Sequence, residues 1–321
     1  MPCRPLHRAR HPRTRRLVGG VGVLVGVVAP LSLLAWRAAA TTAATCDAAT
    51  HTVTLASGET ATIVRSGNNI TVPGCSGTGS VLGSVGSVNG VKVEGGGGAA
   101  TIVIDLSGGH FPSSLKFDIA LGGGATGSGG GGRRGGTLKI LGSSGPDAII
   151  SGSQGISLNG DDVVDVGESC DPDCLLPPGV EELEIDTGGG DDSVDTGGSP
   201  GTGAASEVAA TVDGGSGVNT LDFSRAAGPV SANLFQGTAS GAKKVTNFER
   251  IIGSPFSDDL VGDHDNYIAD GAGDDIVFAG AGNNVIDSGP GSKSITVGNG
   301  DNLITVGPGA GDTISAGDGN N

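Results

Sequence analysis

The chain lacks most of what a globular core is made from. Its 321 residues include seven Phe, one Tyr, one Trp and one Met. The Trp, Trp36, falls in an N-terminal apolar run. A wide core filled by rings is therefore excluded, and a thin one built from Val, Ile and Leu is what the composition allows. Beyond that leader no stretch shows helical periodicity. Histidine is scarce too: past the leader only His51, His110 and His264 are left. There is no H-E-x-x-H and no G-x-x-x-x-G-K-[ST], and the lack of His/Cys clusters speaks against soft-metal sites. G-x-S-x-G occurs once, as GGSPG at residues 197–201. No helical pattern follows Ser199, so the string lacks the strand-to-helix setting of a nucleophile elbow and reads as a chance match.

Positive charge is the next shortage. Residues 1–40 hold seven of the 18 basic residues and no acidic one, so the remainder carries 11 against 34, a net charge of −23. So acidic a chain will not bind nucleic acid by charge. It should repel itself until divalent cations neutralise it. Residues 1–40 read as an export signal: Arg4, Arg8, Arg10, Arg13, Arg15 and Arg16 precede an apolar run from Leu17 to Trp36, and Ala38, Ala39 and Ala40 follow. An uncleaved membrane anchor is the alternative, and Arg15-Arg16 hints at twin-arginine export. A secreted, extracellular product is the expectation. Of five cysteines, Cys3 lies in the leader; Cys46–Cys75 and Cys170–Cys174 are the simplest of three possible pairings of the rest. A metal site at Cys170/Cys174 is the alternative to the second pair.

What the chain has in abundance is glycine, 63 residues of it, and from Asp270 the glycines keep time. The units are DGAGDDIVF, AGAGNNVID, SGPGSKSIT, VGNGDNLIT, then VGPGAGDTIS with one extra residue, then AGDGNN. Glycine holds the second and fourth places. Val277, Ile286, Ile295 and Ile304 hold the eighth, followed by Ile314 after the extra residue. A fixed short period marks a stacked array in which each unit buries its face against its neighbours. The glycines predict tight turns and the eighth-place aliphatics predict short strands with one side chain inward. Each buried aliphatic contributes roughly 1.5–3 kcal/mol. The turns present carbonyl and carboxylate oxygens, the hard ligands that calcium accepts in loose geometry.

These units resemble the nonapeptide of the haemolysin-type, or RTX, calcium-binding proteins, most closely in DGAGDDIVF and in GGSGVNTLD at residues 214–222. Residues 221–261, with LDFS and NFERIIGSPFSDDLVG, resemble the run-in of that family. The resemblance implies an all-β fold, a parallel β-roll or β-solenoid with two units per coil and calcium in the turns. With two units per coil, alternate units share an edge. One edge then reads Asp258, Asp275, Lys293, Asp312 and the other Asn266, Asn284, Asn302, Asn321 at the sixth place. Asp258 and Asp275 are expected to flank the best calcium position of this region, with Gly271 and Gly273 in the turn beside it. Lys293 puts an ammonium where the family has a carboxylate, as a fixed cation near Asp275 and Asp312.

Upstream the pattern degrades. GSSGPDAII, NGDDVVDV and GGGDDSVDT offer Asp147, Asp162 and Asp192 in the matching role. The segmentation expected is a signal peptide (1–40), a small β-rich region of alternating Thr/Val runs (41–120), a Gly-rich spacer (121–137), a degenerate repeat solenoid (138–222), a hairpin-like run-in (223–252) and the nonapeptide repeats (253–321). No catalytic motif is found. The expected function is a secreted calcium-binding β-roll with a structural, adhesive or cell-surface role, its partners calcium and cell-surface or matrix components. The alternative is a calcium-dependent β-helix enzyme acting on polysaccharide.

Overall fold

A strand of three residues can hide only its middle one, and this is how the repeats are built. In the computed structural model Val277 is buried between exposed Ile276 and Phe278 in the strand Ile276–Phe278. The same arrangement recurs at Asp259–Val261 and Ser294–Thr296. The structure describes residues 43–96, 99–122, 135–167 and 179–321, none of them helical. Residues 1–40 and the Cys170/Cys174 pair lie outside the described residues.

The described strands form two sheets of 14 strands each and one of two strands, and from Arg250–Ile252 onward successive strands alternate between the two large sheets. In one, Ile251, Ile268, Ile286 and Ile304 stand in parallel register. In the other, Leu260, Val277, Ile295 and Ile314 do so. Two strands therefore make one coil, and the aliphatic columns from the two sheets face each other as a thin core, in which Ile304 is half-buried and from which Ile314, expected to point inward, is exposed. The glycines permit the coils to approach: Gly271 has φ +79°, and a Cβ there would stand 2.2 Å from the Ser254 carbonyl oxygen of the preceding coil.

The stack does not begin at residue 253. Ile149, Val194, Leu221 and Ile251 form one in-register column. Ile63, Ile104, Ile140, Ile185, Val212 and Val245 form another in the second sheet. The strand Gly136–Leu141 pairs on one side with Thr101–Asp105 and on the other with Val180–Asp186, so the sheet passes directly across the segment read as a spacer. Strands of the alternating Thr/Val runs belong to the same two large sheets. The longer of them bury more than one aliphatic, as Val53 and Leu55 in Thr52–Ala56 and Val91 and Val93 in Gly90–Gly96 show.

Among the described residues antiparallel excursions interrupt the winding at three places, one of them the short hairpin of Gly198–Ser199 with Gly203–Ala204. Ala148–Gly152 folds back on Gly155–Ser157, and Ser231–Asn233 pairs with Thr238–Ala239 inside the run-in. At the amino-terminal end antiparallel strands close over Ile70, Val72 and Leu82, and Cys46 and Cys75 are joined by a disulfide with Cα atoms 5.8 Å apart.

Candidate cation sites at the turns

Where the sixth place of a nonapeptide turn is Asp275, Asn284, Asn302 or Asp312, the side-chain oxygen accepts the backbone N–H of the corresponding residue one coil earlier. Asn266 N–H donates to Asn284 Oδ1 and Asn284 N–H to Asn302 Oδ1, both at 3.0 Å. On the other edge Asp258 N–H donates to Asp275 Oδ1 at 2.8 Å and Lys293 N–H to Asp312 Oδ1 at 2.9 Å. Alternate units share an edge, as the repeat arithmetic requires.

The Asn edge runs further upstream and becomes acidic there. Asn219 N–H donates to Glu249 Oε2, Asp192 N–H to Asn219 Oδ1, and Asp147 N–H to Asp192 Oδ1, at 2.7, 3.1 and 2.8 Å. Asp147 and Asp192 therefore occupy successive coils, and both are buried. Asp147 Oδ2 accepts the Ser143 N–H and hydroxyl. Its Oδ1 has no hydrogen-bond donor and faces His110 Nε2 at 3.1 Å. Asp192 Oδ2 is likewise without a donor; the Thr187 hydroxyl nearby is turned to the Gly214 carbonyl at 3.0 Å. Burial pushes the Asp192 carboxyl above its ordinary range, and the charges of Asp147 and Asp191 add to the rise. A buried carboxylate oxygen without a donor is costly unless a cation or a proton attends it. Two such oxygens one coil apart fit a hard divalent ion.

The expected best position, between Asp258 and Asp275, does not offer this. Asp258 Oδ1 accepts Val230 N–H and the Ser254 hydroxyl, and its Oδ2 accepts Ser254 N–H. Asp275 Oδ2 is held by the Lys293 ammonium. That ammonium also reaches Asp270 Oδ1 at 3.2 Å and the Gly271 carbonyl at 3.0 Å. The Gly271 carbonyl and Asp275, expected as metal ligands, are gathered around an ammonium. Lys293 reaches back to Asp270 and Asp275, whereas Asp312 touches only its backbone N–H. Gly273 N–H is spent on the Pro290 carbonyl of the next coil.

Asp162 stands apart from both ladders. It has φ +65° and accepts the Ser199 hydroxyl and Gly201 N–H. Ser199 itself is buried in a two-residue strand that turns back on Gly203–Ala204. His110, 37 positions before Asp147, was not marked by any repeat; only the winding of the coil brings it there. Asp195 was missed as well. It is buried with Oδ1 on Gly197 N–H and Oδ2 without a donor. Burial pushes its carboxyl up to about 8 against the pull of the Gly197 N–H, with Asp222 on the next strand raising it further. Asp195, Asp222 and Arg225 line a cavity of about 210 Å³.

Among the described residues no three His, Cys, Asp or Glu side chains converge as a ligand set. Any ion at Asp147 and Asp192 would complete its shell with backbone carbonyls and water. Comparison with protein-family models, curated proteins and solved structures yields no match for this chain.

Proposed function

We propose that the protein is an exported calcium-binding β-roll of the haemolysin-type repeat kind, with a structural or adhesive role at a cell surface or in a matrix. The single observation that carries this reading is the pair of buried oxygens on successive coils, Asp147 Oδ1, which faces only His110 Nε2, and Asp192 Oδ2, which accepts no hydrogen bond. The turn chemistry of the nonapeptides and the net charge of −23 beyond the leader agree with it. Calcium binding the wound state alone would stabilise it by mass action, about 2.7 kcal/mol at a hundred times the dissociation constant. The test is hydrogen exchange and far-ultraviolet circular dichroism of the full chain in chelator, in calcium and in magnesium. Calcium should raise protection at residues 143–152 and 187–195, magnesium should do less, and Asp192→Asn should abolish the response. Identical protection and melting in chelator and in calcium would sink the reading.

The second reading, a polysaccharide-acting solenoid enzyme, draws on the cavity at Asp195. Two neighbouring carboxyls held in different environments are what glycoside hydrolysis uses. Cleavage of a uronate polymer, lost in both Asp195→Asn and Asp222→Asn, would favour it over the first.

A further inference from the structure

The interior of the carboxy-terminal stack contains a charged group that a thin aliphatic core has no use for as packing. The side chain of Lys293 has no solvent exposure, and neither do those of Asp270 and Asp275. Asp270 Oδ1 also accepts Gly289 N–H at 2.9 Å, and its Oδ2 accepts the Ser288 hydroxyl. The ammonium thus meets two carboxylates and the Gly271 carbonyl, three hard oxygens presented by a glycine turn and its neighbours. That donor set is the kind a divalent ion would take in the same turn. Lys293 occupies the sixth place, one coil after Asp275, and its backbone N–H is tied to Asp312 on the coil that follows. Its head is therefore delivered backward into the preceding turn by the winding itself. Two buried carboxylates that repel each other need a cation at that point.

We infer that Asp270, Asp275 and the Gly271 carbonyl form a cation cradle whose resident ion is the ammonium of Lys293, so that this part of the roll stays wound without metal. Removing the ammonium opens the cradle to calcium. The inference stands on the geometry at Lys293 and does not require calcium at Asp147 and Asp192.

The test compares the full chain with its Lys293→Met variant, which keeps the length of the side chain and drops the charge. Hydrogen exchange is followed at residues 267–296 in chelator, in calcium and in magnesium. The parent should show the same protection there in all three. In chelator the variant should lose protection by roughly a hundredfold or more, because two buried carboxylates have lost their partner. Calcium should restore it, and the variant should bind one more calcium than the parent. A variant as well protected in chelator as the parent overturns the inference, and so does a loss that calcium leaves in place. The triple variant Asp270→Asn, Asp275→Asn, Lys293→Met guards against simple misfolding. With the charges gone it should regain protection in chelator, and a triple variant as damaged as the single one also overturns the inference. Residues 143–152 and 187–195 report separately on the upstream pair. A parent that ignores calcium throughout, beside a variant that binds it, would remove the proposed function and leave this inference standing.

Discussion

The upstream coils bury Asp147 and Asp192 on the edge that carries Asn266 and Asn284, the downstream coils bury Asp258 and Asp275 on the other edge, and the two sets are neutralised differently. Downstream, Asp258 is closed by Ser254 and Val230, and Asp270 and Asp275 by Lys293, so that no buried carboxylate oxygen after residue 195 is without a partner among the described residues. Upstream, Asp147, Asp192 and Asp195 each keep one buried oxygen with no donor. The repeat frame thus decides where a carboxylate is buried, and the residues one coil away decide what attends it. An ammonium attends Asp275. A proton attends Asp195, whose carboxyl is pushed up to about 8. For Asp147 and Asp192 the attendant is the calcium ion proposed above, with His110 Nε2 3.1 Å from Asp147 Oδ1.

The largest effect expected from breaking this contrast lies at Asp195. Its unfolded carboxyl ionises near the ordinary value of 3.8, whereas the folded one keeps its proton up to about pH 8. Folding therefore binds a proton between those values, and stability falls as pH rises through that window, by about 1.4 kcal/mol per pH unit for one full proton. Above the window both states are ionised and the loss is constant. Asp195→Asn removes the penalty. In chelator it should be more stable than the parent by roughly 3–5 kcal/mol at pH 8 and equal to it near pH 4, as read by denaturant unfolding. A parent and variant separated by the same margin at both pH values would show that no proton is held there.

Next in size is a test of whether the two regions fold as one. Ile286 is fully buried, and its strand buries no second large aliphatic. Ile286→Ala should cost about 2–5 kcal/mol. In a stacked array the damage should stay with nearest neighbours, so protection should fall across residues 259–306 and persist across 136–222. Equal loss in both segments would make the solenoid a single cooperative unit.

The nine-residue period made the downstream half legible. It named the inward aliphatics and paired Asn266 with Asn284 and Asp258 with Asp275 across coils, because a strict repeat leaves one register. It failed where side chains act across irregular coils. The separation of Asp147 from Asp192 is 45 residues, with the antiparallel strands Gly155–Ser157 and Val166–Gly167 between them, and no spacing in that stretch marks them as neighbours. His110 comes to Asp147 from a region without repeats. Asp162 shares the local pattern of Asp192, yet an antiparallel excursion carries it to Ser199. The direction of Lys293 was half legible. Its role as a fixed cation beside Asp275 follows from the ladder, but its choice of Asp270 over Asp312 depends on side-chain direction, which periodicity does not contain.

The smallest effect sharpens the comparison from its uncharged side. Asn284 is fully buried and does with an amide what Asp192 does with a carboxylate. Its Oδ1 accepts Asn266 N–H, and its Nδ2 donates to the Gly282 carbonyl at 3.1 Å and to Asn302 Oδ1 at 3.0 Å. The amide brings its own donors, so this position needs neither proton nor ion. Asn284→Ala leaves the Asn266 N–H and the Gly282 carbonyl without these partners, a loss of about 1–3 kcal/mol. That loss should be the same in chelator and in calcium, measured by denaturant unfolding of the full chain. A calcium-dependent difference would mean that the Asn edge also holds metal, and that charge is not what separates the two halves of the roll.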